Sequence, residues 1–241
     1  MRKLACIALG VVFIVIGGAS GFCDVEEFPR SFRLEDYKVR VGTYTYDAKK
    51  FTNGVWAGGT LAISAWSVPE GILLDWLETY GDGQNFLHLL YRYAITDKGS
   101  VEAGYASLNP SGAIVFDAVY EDPLVTFPFG QTSFGALWGG AFIEKRQGIL
   151  NPLYQASFAR TYTYAVLGIE DVTVPAGRFE RCLKIARLRG NQADRIGWFA
   201  KGIGPVKFIY AQEEHSFTLP GQPPVNLVGY SRLFALSSFV E

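Results

Sequence analysis

Histidine, cysteine and methionine are scarce in this 241-residue chain, which has two, three and one of them respectively. A zinc site takes three or four His, Cys or acidic ligands. His88 and His215 signal no third partner, although Glu213 shares a strand side with His215. The cysteines give no disulfide framework: Cys6 lies in an apolar N-terminal run and Cys23 in a loose leader, which leaves Cys182 as a buried structural thiol. Charge of one sign is missing too. There are 22 basic and 23 acidic residues, so no field draws the chain to nucleic acid. Gly81–Gly83 and Gly202–Gly204 are Gly-x-Gly pairs with no third glycine and no helix after them, so both read as turns and not as phosphate loops. Ser133 lacks the spacing of a nucleophile elbow. The acidic pairs Glu26-Glu27, Glu35-Asp36 and Glu121-Asp122 point to opposite strand sides or sit in loops, so nothing makes two carboxylates converge. These residues predict no catalytic centre, no metal and no cofactor.

Aromatics and glycine are what the chain has in quantity: 18 Phe, 13 Tyr, 5 Trp and 27 Gly, within a composition that is 49% hydrophobic. Aromatics fit a pleated, half-buried surface and glycines fit tight turns, so the pattern favours an all-β domain. Met1–Ser20 reads as a secretory signal peptide. Arg2 and Lys3 precede an apolar run from Leu4 to Ile16, and the small residues Gly17 to Gly21 follow, with cleavage expected after Ala19, Gly21 or Cys23. The apolar run is short against the ~20 residues of a membrane span. Cys23 stands where a lipidated cysteine would, although the bulky Phe22 before it fits a lipoprotein signal poorly. Export to the periplasm or the cell surface is therefore expected. Removing residues 1–23 lowers the basic count to 20 against 23 acids.

From Tyr37 onwards, short alternating segments are separated by turn signals every ~8–12 residues, as in all-β folds. About a dozen strands follow from this, in antiparallel meander sheets and two consecutive units: 24–120 and 121–241, with Glu121–Gly130 and its two prolines as the passage between them. Pro69–Tyr80 has the spacing of an amphipathic helix through Ile72, Leu73, Trp76, Leu77 and Tyr80. It equally suits a strand covered on both faces. In Tyr37–Tyr46, Val39, Val41 and Thr43 are expected on one side and Lys38, Arg40 and Gly42 on the other.

The stretch Asp171–Lys207 organises the second unit. Val174-Pro175-Ala176-Gly177 suits a turn, since proline fixes φ at its first corner and glycine accepts a positive φ. Phe179, Leu183 and Ile185 then share one strand side and Cys182, Ala186 and Leu188 the other. Gly202 and Gly204 flank Ile203 in a second turn, and Val206, Phe208 and Tyr210 line one side of the strand after it. This stretch resembles a signature of uncharacterised exported bacterial proteins, in which V-P-A-G-x-[FY] precedes W-[YF]-A-x-G-[VI]-G. Pro175, Gly177, Phe179, Cys182, Trp198, Phe199, Gly202 and Gly204 carry the match. Upstream, Val41–Tyr46 is similar to the V-G-x-x-W-x-Y strand of those proteins, with Tyr44 in place of the Trp. The resemblance implies an extracytoplasmic antiparallel sheet, related to the half-barrel of LolA/LolB-like lipoprotein carriers. It brings no catalytic residue with it.

Trp56, Trp66, Trp76, Trp138 and Trp198 exceed what a small core needs. Ordinary core filling is one account of them. The other is an open, curved sheet whose apolar concave face takes a lipid, an acyl chain or another hydrophobic partner. The candidate ligand-binding residues on that account are Trp138, Phe142, Trp198 and Phe208, with Gly135, Gly139 and Gly140 allowing close approach around Trp138. A structural or protein-interaction module of the envelope remains the alternative function. An outer-membrane barrel fits the alternating aromatics, but not the strands that are apolar on both sides, nor the Phe239-Val240-Glu241 end.

Overall fold

The computed structural model describes residues 32–241, apart from 53, 82–84, 190–191, 213–214, 218–224 and 228–229. The expected signal segment and Cys23 lie outside the described residues. Seventeen strands appear among the described residues: β1 Phe32–Arg33, β2 Gly42–Thr52, β3 Val55–Val68, β4 Gly71–Tyr80, β5 Asn85–Thr96, β6 Gly99–Leu108, β7 Ile114–Glu121, β8 Val125–Pro128, β9 Gln131–Thr132, β10 Leu137–Gly148, β11 Gln155–Val174, β12 Gly177–Arg189, β13 Gln192–Ala200, β14 Gly204–Gln212, β15 His215–Phe217, β16 Val225–Leu227 and β17 Tyr230–Val240. A 3-10 turn, Leu34–Tyr37, is the sole helical element described.

The antiparallel meander expected from the turn spacing is present, and it does not stop at a half-barrel. The order β5-β4-β3-β2-β17-β14-β13-β12-β11-β10-β7-β6 returns from β6 to β5, so twelve strands close into a ring. Every pair in the ring is antiparallel. The connections at one end, here called the lower end, are mostly tight: residues 69–70, 97–98, 175–176 and 201–203. Closure leaves the twelve ring strands themselves without a free edge.

Pro69–Tyr80 forms no helix. It is the strand β4, with Leu74, Trp76 and Tyr80 buried inside, while Leu73, Asp75 and Leu77 take the other face. Its apolar spacing suited either element, and the neighbours decided it: β3 and β5 pair with it along its whole length. The side assignment at Tyr37–Tyr46 is also corrected. Pairing begins at Gly42, and Tyr44, Tyr46 and Ala48 are the inward residues, which sets Thr43 and Thr45 outside. Residues 38–41 are not strand, so their alternation carried no sheet face.

The lower end is plugged by the chain itself. Leu34 and Tyr37 are buried in the same apolar cluster as Leu124, Phe127 and Phe199. The plug is held by backbone bonds from Leu34 N–H to the Gly130 carbonyl and from Gly202 N–H to the Asp36 carbonyl, and by the Gly130 N–H donating to Glu35. The acidic pair Glu35-Asp36 thus anchors a plug, with Asp36 also pairing with Lys201. Residues 121–130, which the sequence marked as a passage, lead on from β7 through β8 across this end, and residues 131–136, with β9, complete the way to β10; β8 pairs with the first residues of β6.

The outer face carries ion pairs along its strands on several sides. Asp75 meets His88 at 2.7 Å, Arg92 meets Asp117 at 2.7 Å, Lys145 pairs with Glu121, and Lys184 with Glu170 at 3.2 Å. Arg92 also donates to the Ala118 carbonyl across Gly104, where an added Cβ would meet that oxygen at 2.1 Å. Charges placed this way suit water and would each be costly in hydrocarbon.

Candidate functional site

An eight-stranded barrel is just filled by its own side chains, and wider ones enclose space. Twelve strands leave a lumen here, a cavity of about 1800 Å³. Its lining runs from Lys38 and Val39 at the plugged end to Leu153, Tyr154, Arg189 and Ala193 at the other. Leu153 is 93% exposed, so the described rim at that upper end meets solvent.

The lower part of the lumen is apolar. Inward parity on β3, β4, β13 and β14 delivers Ile63, Leu74, Trp76, Phe199 and Phe208 to it. Phe208 is the hub of this floor, with its ring 6.1 Å from both Trp76 and Phe199 and 5.9 Å from Tyr46. Leu87, Leu89, Tyr91 and Tyr93 extend the wall along β5. Burial raises the phenol pKa of Tyr91 and Tyr93 well above the ordinary value, which keeps the wall neutral.

Higher in the lumen, inward positions turn from apolar to charged. Glu78, 1% exposed, accepts from Trp76 Nε1 at 2.7 Å and Tyr80 at 3.0 Å and pairs with Arg232. Glu144 accepts from Tyr105 at 2.8 Å, Arg146 at 2.5 Å and Arg160 at 3.0 Å. Burial alone would raise its pKa, but these cations and donors hold it below the ordinary carboxylate value. Arg187 grips Asp194 with two bonds of 2.8 Å. Glu102 differs from these. Burial raises its pKa although Tyr120 donates to it at 2.8 Å and Tyr93 at 3.4 Å. Arg195 makes one described hydrogen bond, 3.4 Å from Nη1 to the Tyr210 hydroxyl, and lies 5.8 Å from the Phe208 and Tyr210 ring centres.

The four sequence candidates are not brought together. Phe208 lines the lumen floor. Phe142 is buried in the wall against Tyr120, 4.6 Å away, and Tyr162. Trp138 stacks on Tyr164 at 5.5 Å and donates to the Thr126 carbonyl; it borders a separate hollow of about 450 Å³ with Leu124, Pro123 and Pro128. Trp198 faces outwards. Its register partners Lys184 and Lys207 lie over its ring at 5.1 and 4.8 Å, and its indole N–H donates to Glu170. The five tryptophans do not lie on one face: Trp76 lines the lumen, while Trp56 and Trp66 are exposed.

The residues that carry the sequence resemblance lie in turns and packing positions. Pro175 and Ala176 form the β11–β12 turn, closed by Gly177 at φ +129°, with the Ala176 N–H bonded to the Leu236 carbonyl. Phe179 packs partly buried against the core, and Cys182 is a free, fully buried thiol. Gly202 and Gly204, at φ +76° and +106°, make the turn on which the plug docks. Among the described residues no cluster of three or more His, Cys, Asp or Glu could hold a metal. His88 pairs with Asp75 outside the barrel, and the side chain of His215 lies outside the described residues.

No protein-family model and no curated protein matches this chain. Among solved structures, a candidate exported protein with a YmcC-like fold from Bacteroides fragilis aligns with a TM-score of 0.40 at 13% identity, covering 85% of this chain and 98% of its own. A candidate outer membrane lipoprotein-sorting protein domain from Vibrio parahaemolyticus aligns with a TM-score of 0.29 at 4% identity, covering 86% and 88%.

Reading single residues missed the charged part of the lumen. Arg187 continues the parity of Leu183 and Ile185, Arg195 that of Phe199, Arg232 that of Phe234 and Leu236, and Glu78 that of Leu74 and Trp76. The signal lay there: a charge on the apolar side of a strand, on several strands, always towards the same end of the meander.

Proposed function

We propose that this protein is an exported, non-enzymatic carrier that takes the apolar part of a lipid or acyl chain into its barrel lumen. The supporting observation is the closed twelve-strand wall around about 1800 Å³ of aromatic- and aliphatic-floored space. That exceeds the ~300–1,000 Å³ of ordinary small-molecule sites. The plug shuts the lower end, so entry is from the upper rim, where the exposed Leu153 and Tyr154 border the cavity. Polar lumen groups are largely paired with one another, as a binding wall requires. Native mass spectrometry of the protein isolated from its own compartment tests this, together with binding of the neutral dye N-phenyl-1-naphthylamine. The expected result is co-purifying lipid-sized mass and saturable dye binding that added fatty acid displaces. A bare polypeptide that binds no dye overturns the proposal.

A further inference from the structure

We propose that the amphiphile held in the lumen is anionic, its carboxylate or phosphate headgroup bound by Arg195. This rests on the lumen reading above and names the class of ligand. Six arginines line the cavity, Arg146, Arg160, Arg187, Arg189, Arg195 and Arg232, against the four acids Glu78, Glu102, Glu144 and Asp194. Three of the acids are committed: Glu78 to Arg232, Asp194 to Arg187, and Glu144 to both Arg146 and Arg160. Glu102 does not complete the balance. Its oxygens take bonds from Tyr120 and Tyr93, and burial raises its pKa against the charges of Arg187 and Arg195; even ionised it leaves six guanidiniums facing four carboxylates. The lumen therefore keeps surplus positive charge.

That surplus is most specific at Arg195. Among the described residues no carboxylate lies within 4.0 Å of it, and its one hydrogen bond is the long one to Tyr210. A guanidinium carries five donors in a planar fork that matches a carboxylate or phosphate. A fork facing a lined cavity with most donors uncommitted favours an anion there, and leaving it dry is costly. The Phe208 and Tyr210 rings lie beside it, their centres 5.8 Å away. Phe208 is also the hub of the apolar floor, so a chain leaving an anion on Arg195 runs directly on to Phe208, Trp76 and Phe199. A neutral lipid would leave the guanidinium unpaired, and a cationic one would be repelled.

The test is displacement of N-phenyl-1-naphthylamine from the chain starting at Asp24 by oleate, by oleyl alcohol and by acetate or inorganic phosphate alone. Oleate is expected to displace at a concentration about tenfold lower than oleyl alcohol, the size of one charge-assisted bond. The free anions should not displace. Arg195→Gln should remove the preference for oleate while leaving oleyl alcohol unchanged, and Arg195→Lys should keep part of it, with circular dichroism confirming the fold of each. Equal potency of oleate and oleyl alcohol on the unaltered protein overturns the proposal while leaving an apolar carrier standing. So does an Arg195→Gln loss that falls equally on both, or displacement by acetate or phosphate as effective as by oleate. Failure of both oleyl ligands, or of dye binding itself, overturns the lumen reading and this proposal with it.

Discussion

The Tyr44 hydroxyl donates to the Ile203 carbonyl at 2.8 Å while accepting from the Arg40 N–H at 2.9 Å. One buried phenol thus joins the lead-in, the first residues of β2 and the β13–β14 turn at the plugged end of the barrel. Replacing Tyr44 by Phe keeps the packing against Phe239, 4.5 Å away, but leaves part-buried backbone groups without this partner. A loss of about 1–3 kcal/mol in urea-unfolding stability is expected. Burial pushes the Tyr44 phenol up to about 12. Its raised pKa means the contribution is complete below the ordinary value of 10 and is lost as the pH rises through 12. The difference between the wild type and the variant should shrink in that alkaline window and stay constant between pH 6 and 9.

Gly204 and Gly54 both hold a positive φ, +106° and +78°, but only Gly204 is crowded. A Cβ on Gly204 would sit 3.0 Å from the Lys38 carbonyl oxygen and from the Val39 Cα, whereas nothing lies within 4 Å of one on Gly54. Alanine at Gly54 should show backbone strain alone, of order 1–2 kcal/mol. Alanine at Gly204 should cost more and release the plug, seen as faster proteolysis around residues 34–41. Equal melting temperatures and cleavage rates for the two variants would show that the plug does not depend on this contact.

Two lumen carboxylates should respond to acid in opposite senses. The pKa of Glu144 is lowered, so its stabilisation is present above the ordinary 4.5 and is lost as the pH falls through its folded value. The pKa of Glu102 is raised, so its contribution is present below 4.5 and becomes a cost as the pH rises through its folded value. Glu144→Gln should lower the melting temperature at pH 7, since it strands Arg146 and Arg160. Glu102→Gln should raise it. Both differences should diminish towards pH 4. Thermal melts between pH 4 and 8 check the signs, and a drop for Glu102→Gln at neutral pH would contradict this account of Glu102.

Cys182 is fully buried, with its thiol against the Phe179 carbonyl. Burial first, and then Asp171 and Glu170, push its pKa to about 12. Thiolate is the reactive form, so in a chain starting at Asp24 this thiol should resist iodoacetamide at pH 8 and react within minutes in 8 M urea. Native labelling at the unfolded rate would show an open core at the start of β12.

Strand parity, turn residues and the scarcity of metal-binding side chains follow from the sequence by itself, because each depends on near neighbours in the chain. Pro175 and Gly177 demand a turn wherever they are. Val206, Phe208 and Tyr210 face one way because consecutive strand residues alternate. Such local rules made the all-β meander and the buried Cys182 legible. They could not say that β5 meets β6 to close the ring, since closure joins edges through a sum of strand tilts and twists that no single segment encodes. For the same reason β4 read equally well as a helix until β3 and β5 were beside it, and Trp198 read as a site residue until Lys184 and Lys207 were found to cover it outside. Only the tertiary structure put the arginines of β10, β11, β12, β13 and β17 on the inside of one wall. Distant strands supply them one at a time, and a charge acquires its meaning from what lies across the lumen.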